Sequence, residues 1–293
     1  MEVEAGSRVR IECHWQPNRQ SCPTLVLLHG LESSSESPYM LGTAEKAWVA
    51  GFNAVRMNQR NCGDTERLTP TLYNAGLSGD LARVTEDLIG RDGLAEIHLS
   101  GTSMGGNIVL KLAGEWGSEA PPQVAGFSAV SPSLDLGLAA DAINRPSNFI
   151  YQWSFVRGLK AKFRHKARLH PQTYRTDGME EVHTVREFDD RFTAPHSGYG
   201  NAVIYYHRAS ALRVVERISM PTLILTAEDD PFIPFESFRN TALTQNSNLI
   251  LLAPPHGGHA GFISSRIEKE DCFWAENRVV EFAQYSSRLL KRD

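Results

Sequence analysis

The stretch Gly101-Thr102-Ser103-Met104-Gly105 restricts the architecture of this chain more than any other. It follows a short apolar run, Glu96–Leu99, and opens a segment that reads as a helix to about Trp116. A serine on such a strand-to-helix turn is pushed out of the sheet edge on a strained backbone, so its neighbours two residues away must be small. Gly101 and Gly105 meet that demand, and Gly106 adds room. The start of the helix also presents free N–H groups, which favour a developing negative charge. A glycine turn with a capping serine is the plainer alternative.

The rest of the chain supplies the setting. Val9, Ile11, Cys13 and Trp15 alternate with polar residues, the period of a half-buried antiparallel strand at a sheet edge. Thr24–Leu28, ending in His29-Gly30, and Phe52–Met57 are continuous apolar runs, as strands covered on both faces are. Val124–Val130, Thr222–Thr226 and Asn248–Ala253 give further strands. Helices are expected over Met40–Ala50, from Asp80 to about Arg91, and from about Asp271 to Leu290. Alternating strands and helices predict an α/β fold with a mostly parallel central sheet and helices on both faces. That alternation stops for residues 131–209, which are helical, irregular and rich in aromatic and basic side chains. The expected organisation is a core of residues 1–130 and 210–293 carrying a helical cap insertion of residues 131–209. An independent small domain is the competing reading of the insertion.

Composition narrows the function. The chain has 293 residues, 41% of them hydrophobic and 22% charged, an ordinary globular balance. A net charge of −4 without any block of five like charges disfavours a general attraction to nucleic acid or to an anionic membrane, and leaves room for a local patch. The acidic start, Met1–Gly6, lacks the apolar core of a signal peptide. Runs such as Leu25–Leu28 and Leu249–Ala253 are far below the roughly 18 residues of a membrane helix. Cys13, Cys22, Cys62 and Cys272 have no regular spacing and read as free thiols, which fits the cytoplasm.

A serine hydroxyl needs a base. His259, in Pro254-Pro255-His256-Gly257-Gly258-His259-Ala260-Gly261, follows the last strand in a glycine-rich loop that lets an imidazole swing over the serine. His256 is its rival. The two histidines could also form a metal pair, but intervening glycines disfavour a helix and no carboxylate has third-ligand spacing. No metal and no cofactor is therefore expected. An orienting carboxylate is expected after Thr222–Thr226, and Asp230 carries it in a D-x-x-I-P spacing. Asp229 stays open, since one residue reverses a side chain's direction near a strand end, and Asp135 is a more distant candidate. The order Ser…Asp…His suits a serine nucleophile on this turn. Oxyanion donors are expected from the Met104 N–H and from the Leu31 N–H in His29-Gly30-Leu31, where His29 itself reads as structural.

With these residues in view, the chain resembles the YheT-like branch of the α/β-hydrolase superfamily over nearly its whole length. The resemblance rests on His29-Gly30-Leu31-Glu32 with Ser33-Ser34-Ser35 and Pro38-Tyr39, on Arg60-Asn61-Cys62-Gly63, on Tyr73-Asn74-Ala75-Gly76 and on Gly101 to Asn107. Arg186-Glu187-Phe188-Asp189-Asp190, Asp229-Asp230-Pro231-Phe232 and Gly257 to Phe262 complete it. It implies a Ser–Asp–His serine esterase with a helical cap, acting on carboxylic esters; eukaryotic members are associated with medium-chain acyl esters, acyl transfer and phospholipids. Two departures stand out: the oxyanion loop is serine-rich where the family usually has a glycine, and the arginine–glycine–cysteine element reads Arg60-Asn61-Cys62.

The combined expectation is a carboxylic ester hydrolase working through an acyl-enzyme on a small-molecule acyl ester of short to medium chain. Acyl transfer or phospholipase-like lipid hydrolysis with the same residues is the alternative, and a catalytically silent binding protein the remaining one. The oligomeric state is left open. Arg60 and Cys62 are expected to be structural, and Arg186–Asp190 to anchor the cap to the core through ion pairs. Phe149, Tyr151, Trp153 and Phe155 read as core before acyl contacts. Lys160–Lys166 reads as a solvated helix face, with contact to lipid headgroups as a minor reading.

Overall fold

The computed structural model describes residues 1–266 and 270–290. The chain opens with a small antiparallel hairpin, β1 (Glu2–Glu4) and β2 (Ser7–Arg8), too short for periodicity to reveal. Next come β3 (Ile11–His14), β4 (Thr24–Leu28), α1 (Pro38–Val49), β5 (Asn53–Met57), α2 (Ser78–Gly90), β6 (Ile97–Thr102), α3 (Met104–Trp116) and β7 (Val124–Val130). Between β7 and the next strand lie α4 (Leu136–Ile143), the long α5 (Phe149–Leu169), α6 (Val185–Phe188), α7 (Ala194–His196) and α8 (Ala202–Ala209). The strands resume with β8 (Thr222–Leu225), then α9 (Thr241–Thr244), β9 (Leu249–Leu252) and α10 (Trp274–Leu290).

Seven of the described strands form one sheet in the order β3-β5-β4-β6-β7-β8-β9. Edge strand β3 pairs antiparallel with β5, and every other pairing is parallel. This is the expected α/β architecture. Every residue of β4, β5 and β7 is buried, which is why these strands read as continuous apolar runs. Edge strand β9 is covered less, and Ile250 and Leu251 remain exposed.

Helices cover both faces. Met40, Ala44 and Ala47 of α1 pack with Val279, Val280 and Ala283 of α10 on one side. On the other, Leu81, Val84 and Leu88 of α2 meet Ile108, Val109 and Leu112 of α3. Phe163, Phe188, Phe192 and Tyr205 of the insertion join this second cluster, so helices 131–209 share buried apolar contacts with the sheet's helical layer. Burial of each such side chain stabilises the fold by about 1.5–3 kcal/mol.

Arg60 is buried and structural, as expected. Its guanidinium meets Asp80 with two bonds, Nε to Oδ2 at 2.6 Å and Nη2 to Oδ1 at 2.5 Å, while Nη1 reaches Glu4 at 2.8 Å and Thr71 at 2.7 Å. The pair ties the N-terminal hairpin to α2. Replacing Asp80 by Ala leaves the buried guanidinium with only the exposed Glu4 as counter-charge and is expected to lower unfolding free energy by about 3 kcal/mol in urea denaturation. Wild-type stability of that variant would contradict the assignment.

Candidate active site

Ser103 stands between β6 and α3 with φ 56° and ψ −120°, a conformation that L-residues rarely adopt. The surroundings over-determine it. Its N–H donates to the Val130 carbonyl at 2.8 Å, and its own carbonyl accepts from Asn107 N–H at 3.0 Å and Ser133 N–H at 3.2 Å. A Cβ on Gly105 would lie 2.5 Å from the His29 carbonyl oxygen and nearer still to that of Leu28. One on Gly101 would fall 2.7 Å from the Gly106 nitrogen. The glycines are therefore required by contact with backbone, not merely by turn preference.

The loop after β4 reaches the same place. A Cβ on Gly30 would sit 3.1 Å from the Ser103 Cβ and 3.6 Å from its Oγ. Beyond Gly30, the Leu31 N–H donates to no other protein atom among the described residues, and neither does the Met104 N–H at the start of α3. His29 has the structural place expected of it. Its Nδ1 contacts the Gly30 carbonyl at 2.8 Å, and its Nε2 accepts from the Gln59 N–H at 3.1 Å, so the proton lies on Nδ1. Burial lowers its pKa to about 4 from 6.5. The unfolded chain thus binds the extra proton first, and the stability present above pH 6.5 is lost as pH falls toward 4. Denaturation midpoints should fall over this window, and His29→Gln should flatten that slope; an unchanged slope would contradict it.

Asp230 and His259 meet. His259 Nδ1 lies 2.8 Å from Asp230 Oδ2, and the Asp230 side chain is fully shielded from solvent. The other carboxylate oxygen accepts from Phe232 N–H at 2.8 Å and Ile233 N–H at 3.0 Å, which fixes its direction. The Phe232 ring lies edge-on to the imidazole at 4.9 Å. Asp229 points elsewhere: it accepts from the Gly257 and Gly258 N–H groups at 2.9 Å each and pairs with the exposed His256 at 3.2 Å. It therefore shapes the loop that carries His259. Asp135 caps α4 by accepting from Gly137 and Leu138.

Ser103, His259, Leu31 and Met104 all line one cleft of about 970 Å³, open solvent at its mouth included. Its walls are mainly apolar: Leu136, Ile143, Leu159, Phe163 and Phe188 come from the insertion, Phe232 and Ile233 from the loop after β8. Polar groups reach it too. Asp189 is buried among Tyr206, whose hydroxyl donates at 2.8 Å, and Thr193; burial raises its pKa to about 6. Cys62 is wholly buried, and burial pushes its thiol to about 11, which disfavours a thiolate nucleophile.

Three expectations for the insertion need correction. Arg186–Asp190 does not tie it to the sheet: Arg186 binds Asp141 at 2.7 Å, Asp189 binds Tyr206, and Asp190 accepts from the Ala202 N–H, all within residues 131–209. Phe149, Tyr151 and Trp153 are exposed and not core, whereas Phe155 lines the cleft. Lys160–Lys166 is not a solvated face throughout. Lys162 turns inward to Glu32 at 3.1 Å and Cys62 at 3.5 Å, and Lys166 is buried, donating to the Glu66 carbonyl at 2.6 Å and the Thr69 carbonyl at 2.5 Å. Both residues fall on the side of α5 that carries Leu159 and Phe163, and long aliphatic stems cross the apolar layer to reach acceptors.

Glu32 gains a role that the sequence analysis missed. It follows Leu31 directly and has φ 54°. The Tyr73 hydroxyl and Lys162 both donate to its carboxylate, and Gly158 of α5 leaves the space it fills. The backbone beside the Leu31 N–H is thus held from the insertion. Lys162→Met is expected to lower kcat on a small ester by roughly 10- to 100-fold with little change in KM, the scale of a displaced donor. An unchanged kcat would show that Glu32 holds its place without the lysine.

A family described as alpha/beta hydrolase fold matches residues 23–265. YheT of Escherichia coli K12 is 31% identical over 280 residues, covering 93% of this chain and 80% of its own length. Phospholipase ABHD3 of Mus musculus is 28% identical over 291 residues, 96% of this chain and 70% of that protein. Among solved structures, Est1E from Butyrivibrio proteoclasticus with ferulic acid bound superposes with a TM-score of 0.60 at 16% identity, covering 96% of each chain. The Pyrococcus furiosus esterase Pf2001 gives 0.61 at 18% identity over 94% of this chain and 88% of its own. The chain belongs to the α/β-hydrolase fold family, in the branch that contains YheT.

Proposed function

We propose that the chain is a serine carboxylic-ester hydrolase in which Ser103 is the nucleophile, His259 the general base and Asp230 the group that orients His259. The observation that carries this reading is a strained, half-buried serine lining one apolar cleft with a histidine whose Nδ1 is held by a buried carboxylate. In the acylation step Ser103 Oγ bonds to the ester carbonyl carbon while His259 Nε2 takes the hydroxyl proton. The Leu31 and Met104 N–H groups donate to the carbonyl oxygen as it becomes an oxyanion. Collapse breaks the bond to the alcohol oxygen, which receives the proton from His259. Water then repeats the sequence on the acyl-enzyme and releases the acid.

Residues 131–209 act in this reading as a cap. They supply most of the apolar wall that an acyl chain of short to medium length would occupy, and they exclude bulk water from the ester. Support for ester chemistry also comes from relatives named monoacylglycerol lipase and medium-chain fatty acid ethyl ester synthase/esterase 2, both of Saccharomyces cerevisiae, at 29% and 25% identity. The second name favours acyl transfer to an alcohol as the alternative outcome of the same acyl-enzyme. Hydrolysis of p-nitrophenyl esters from acetate to laurate tests the proposal, with added ethanol to divert the acyl group. A chain-length optimum that vanishes in Ser103→Ala is expected. Full activity in that variant, or no turnover of any ester by folded protein, would overturn it.

A further inference from the structure

The outward face of α5 plays no part in the proposed reaction. Phe149 is 65% exposed, Ile150 62%, Tyr151 52% and Trp153 61%, all within the first two turns. Side chains of this size, more than half uncovered, present on the order of 400 Å² of apolar surface, the scale at which an exposed patch marks an interaction site. The patch adjoins the cleft: the Tyr151 ring meets Phe232 at 4.8 Å, and Phe232 meets His259.

Charge around the patch is one-sided. The 21 residues of α5 include no acid. Arg157 lies over the Trp153 ring at 5.4 Å, one turn further along the helix, and Arg145 is exposed just before it. Among the described residues neither arginine pairs with a carboxylate. The nearby Asp141 is taken by Arg186.

We propose that this end of α5 docks on an anionic phospholipid surface, with Phe149, Ile150 and Trp153 entering the headgroup boundary and Arg145 and Arg157 meeting phosphates. An apolar stripe rimmed by cations, with tryptophan and tyrosine at its margin, matches a layer of phosphate over hydrocarbon. A second copy of the chain fits less well, because a two-fold contact through this face would set the same arginines against each other. The proposal goes beyond ester hydrolysis and does not depend on it.

The test is co-sedimentation of the Ser103→Ala protein with vesicles of phosphatidylcholine, alone or mixed with phosphatidylglycerol. That variant cannot consume lipid by the proposed route, so binding is read apart from catalysis. Binding to the anionic vesicles is expected, weakened by salt. Phe149→Ser, Ile150→Ser and Trp153→Ser together should cut it at least about tenfold. Arg145→Gln and Arg157→Gln should each cut it about fivefold on anionic vesicles only. On the Ser103 background the apolar triple variant should hydrolyse p-nitrophenyl acetate at the parental rate, which shows that it is folded. Absence of vesicle binding, or undiminished binding by the folded triple variant, would overturn the proposal. So would a dimer in sedimentation velocity that the triple variant abolishes, since the face would then belong to a second copy.

Discussion

Ser103→Ala is expected to lower kcat/KM on a p-nitrophenyl ester by on the order of 10⁴- to 10⁶-fold while leaving the fold intact. The size follows from the proposed chemistry, in which no acyl-enzyme forms without the hydroxyl and the Leu31 and Met104 N–H groups would assist only the slow attack of water. Asp230→Asn should cost on the order of 10⁴-fold by a different route. The amide would present an N–H toward His259 Nδ1 and favour the wrong tautomer. If Ser103 and His259 act as the proposed nucleophile and base, Ser103→Ala and His259→Ala combined should be about no worse than either alone. Stopped-time assays on purified variants, with circular dichroism to verify folding, check this directly. A loss of less than about tenfold in folded Ser103→Ala would place the chemistry elsewhere.

The second large effect concerns a residue with no chemistry. Gly105→Ala puts a methyl group against the carbonyl oxygens of Leu28 and His29, at the end of the strand that leads to Leu31. Backbone atoms in a parallel sheet cannot swing aside as a side-chain tip can. Either the elbow or the oxyanion loop must move, and a loss of about 3 kcal/mol or more is expected, at the upper end of overpacking penalties. A displaced elbow should cost activity as well, about 100-fold for a misplacement near 1 Å. Gly79→Ala in α2 is the control, since nothing lies within 4 Å of its added Cβ. That change should be neutral or stabilise by about 0.5–1 kcal/mol. Urea unfolding and steady-state kinetics on both variants separate the outcomes, and a Gly105→Ala protein as stable and active as its parent would contradict the account.

Some of this could be read from the amino acids alone, for identifiable reasons. The central strands were legible because burial on both faces leaves runs such as Thr24–Leu28 and Val124–Val130 almost without polar interruption. The turn at Ser103 was legible because its strain demands glycine at positions 101 and 105. The preference for Asp230 over Asp229 rested on the D-x-x-I-P spacing alone and left Asp229 open, since adjacent side chains diverge by a direction that only the backbone at Ala227–Pro231 sets. The structure gives Asp230 to His259 and Asp229 to the loop beneath it. The N-terminal hairpin escaped because two- and three-residue strands have no usable period. In α5 the polar character of Lys160–Lys166 suggested solvent, yet Lys162 and Lys166 run inward along apolar neighbours to buried acceptors, and the aromatic start of the helix faces out. Hydropathy ranks residue types; it does not tell which side of a helix the rest of the chain covers.

Reaction of the folded protein with a fluorophosphonate, followed by peptide mass spectrometry, tests the central assignment most directly. A single covalent adduct on Ser103 is expected, absent in Ser103→Ala and formed much more slowly in His259→Ala and Asp230→Asn. An adduct on another residue, or none on protein shown to be folded, would contradict it.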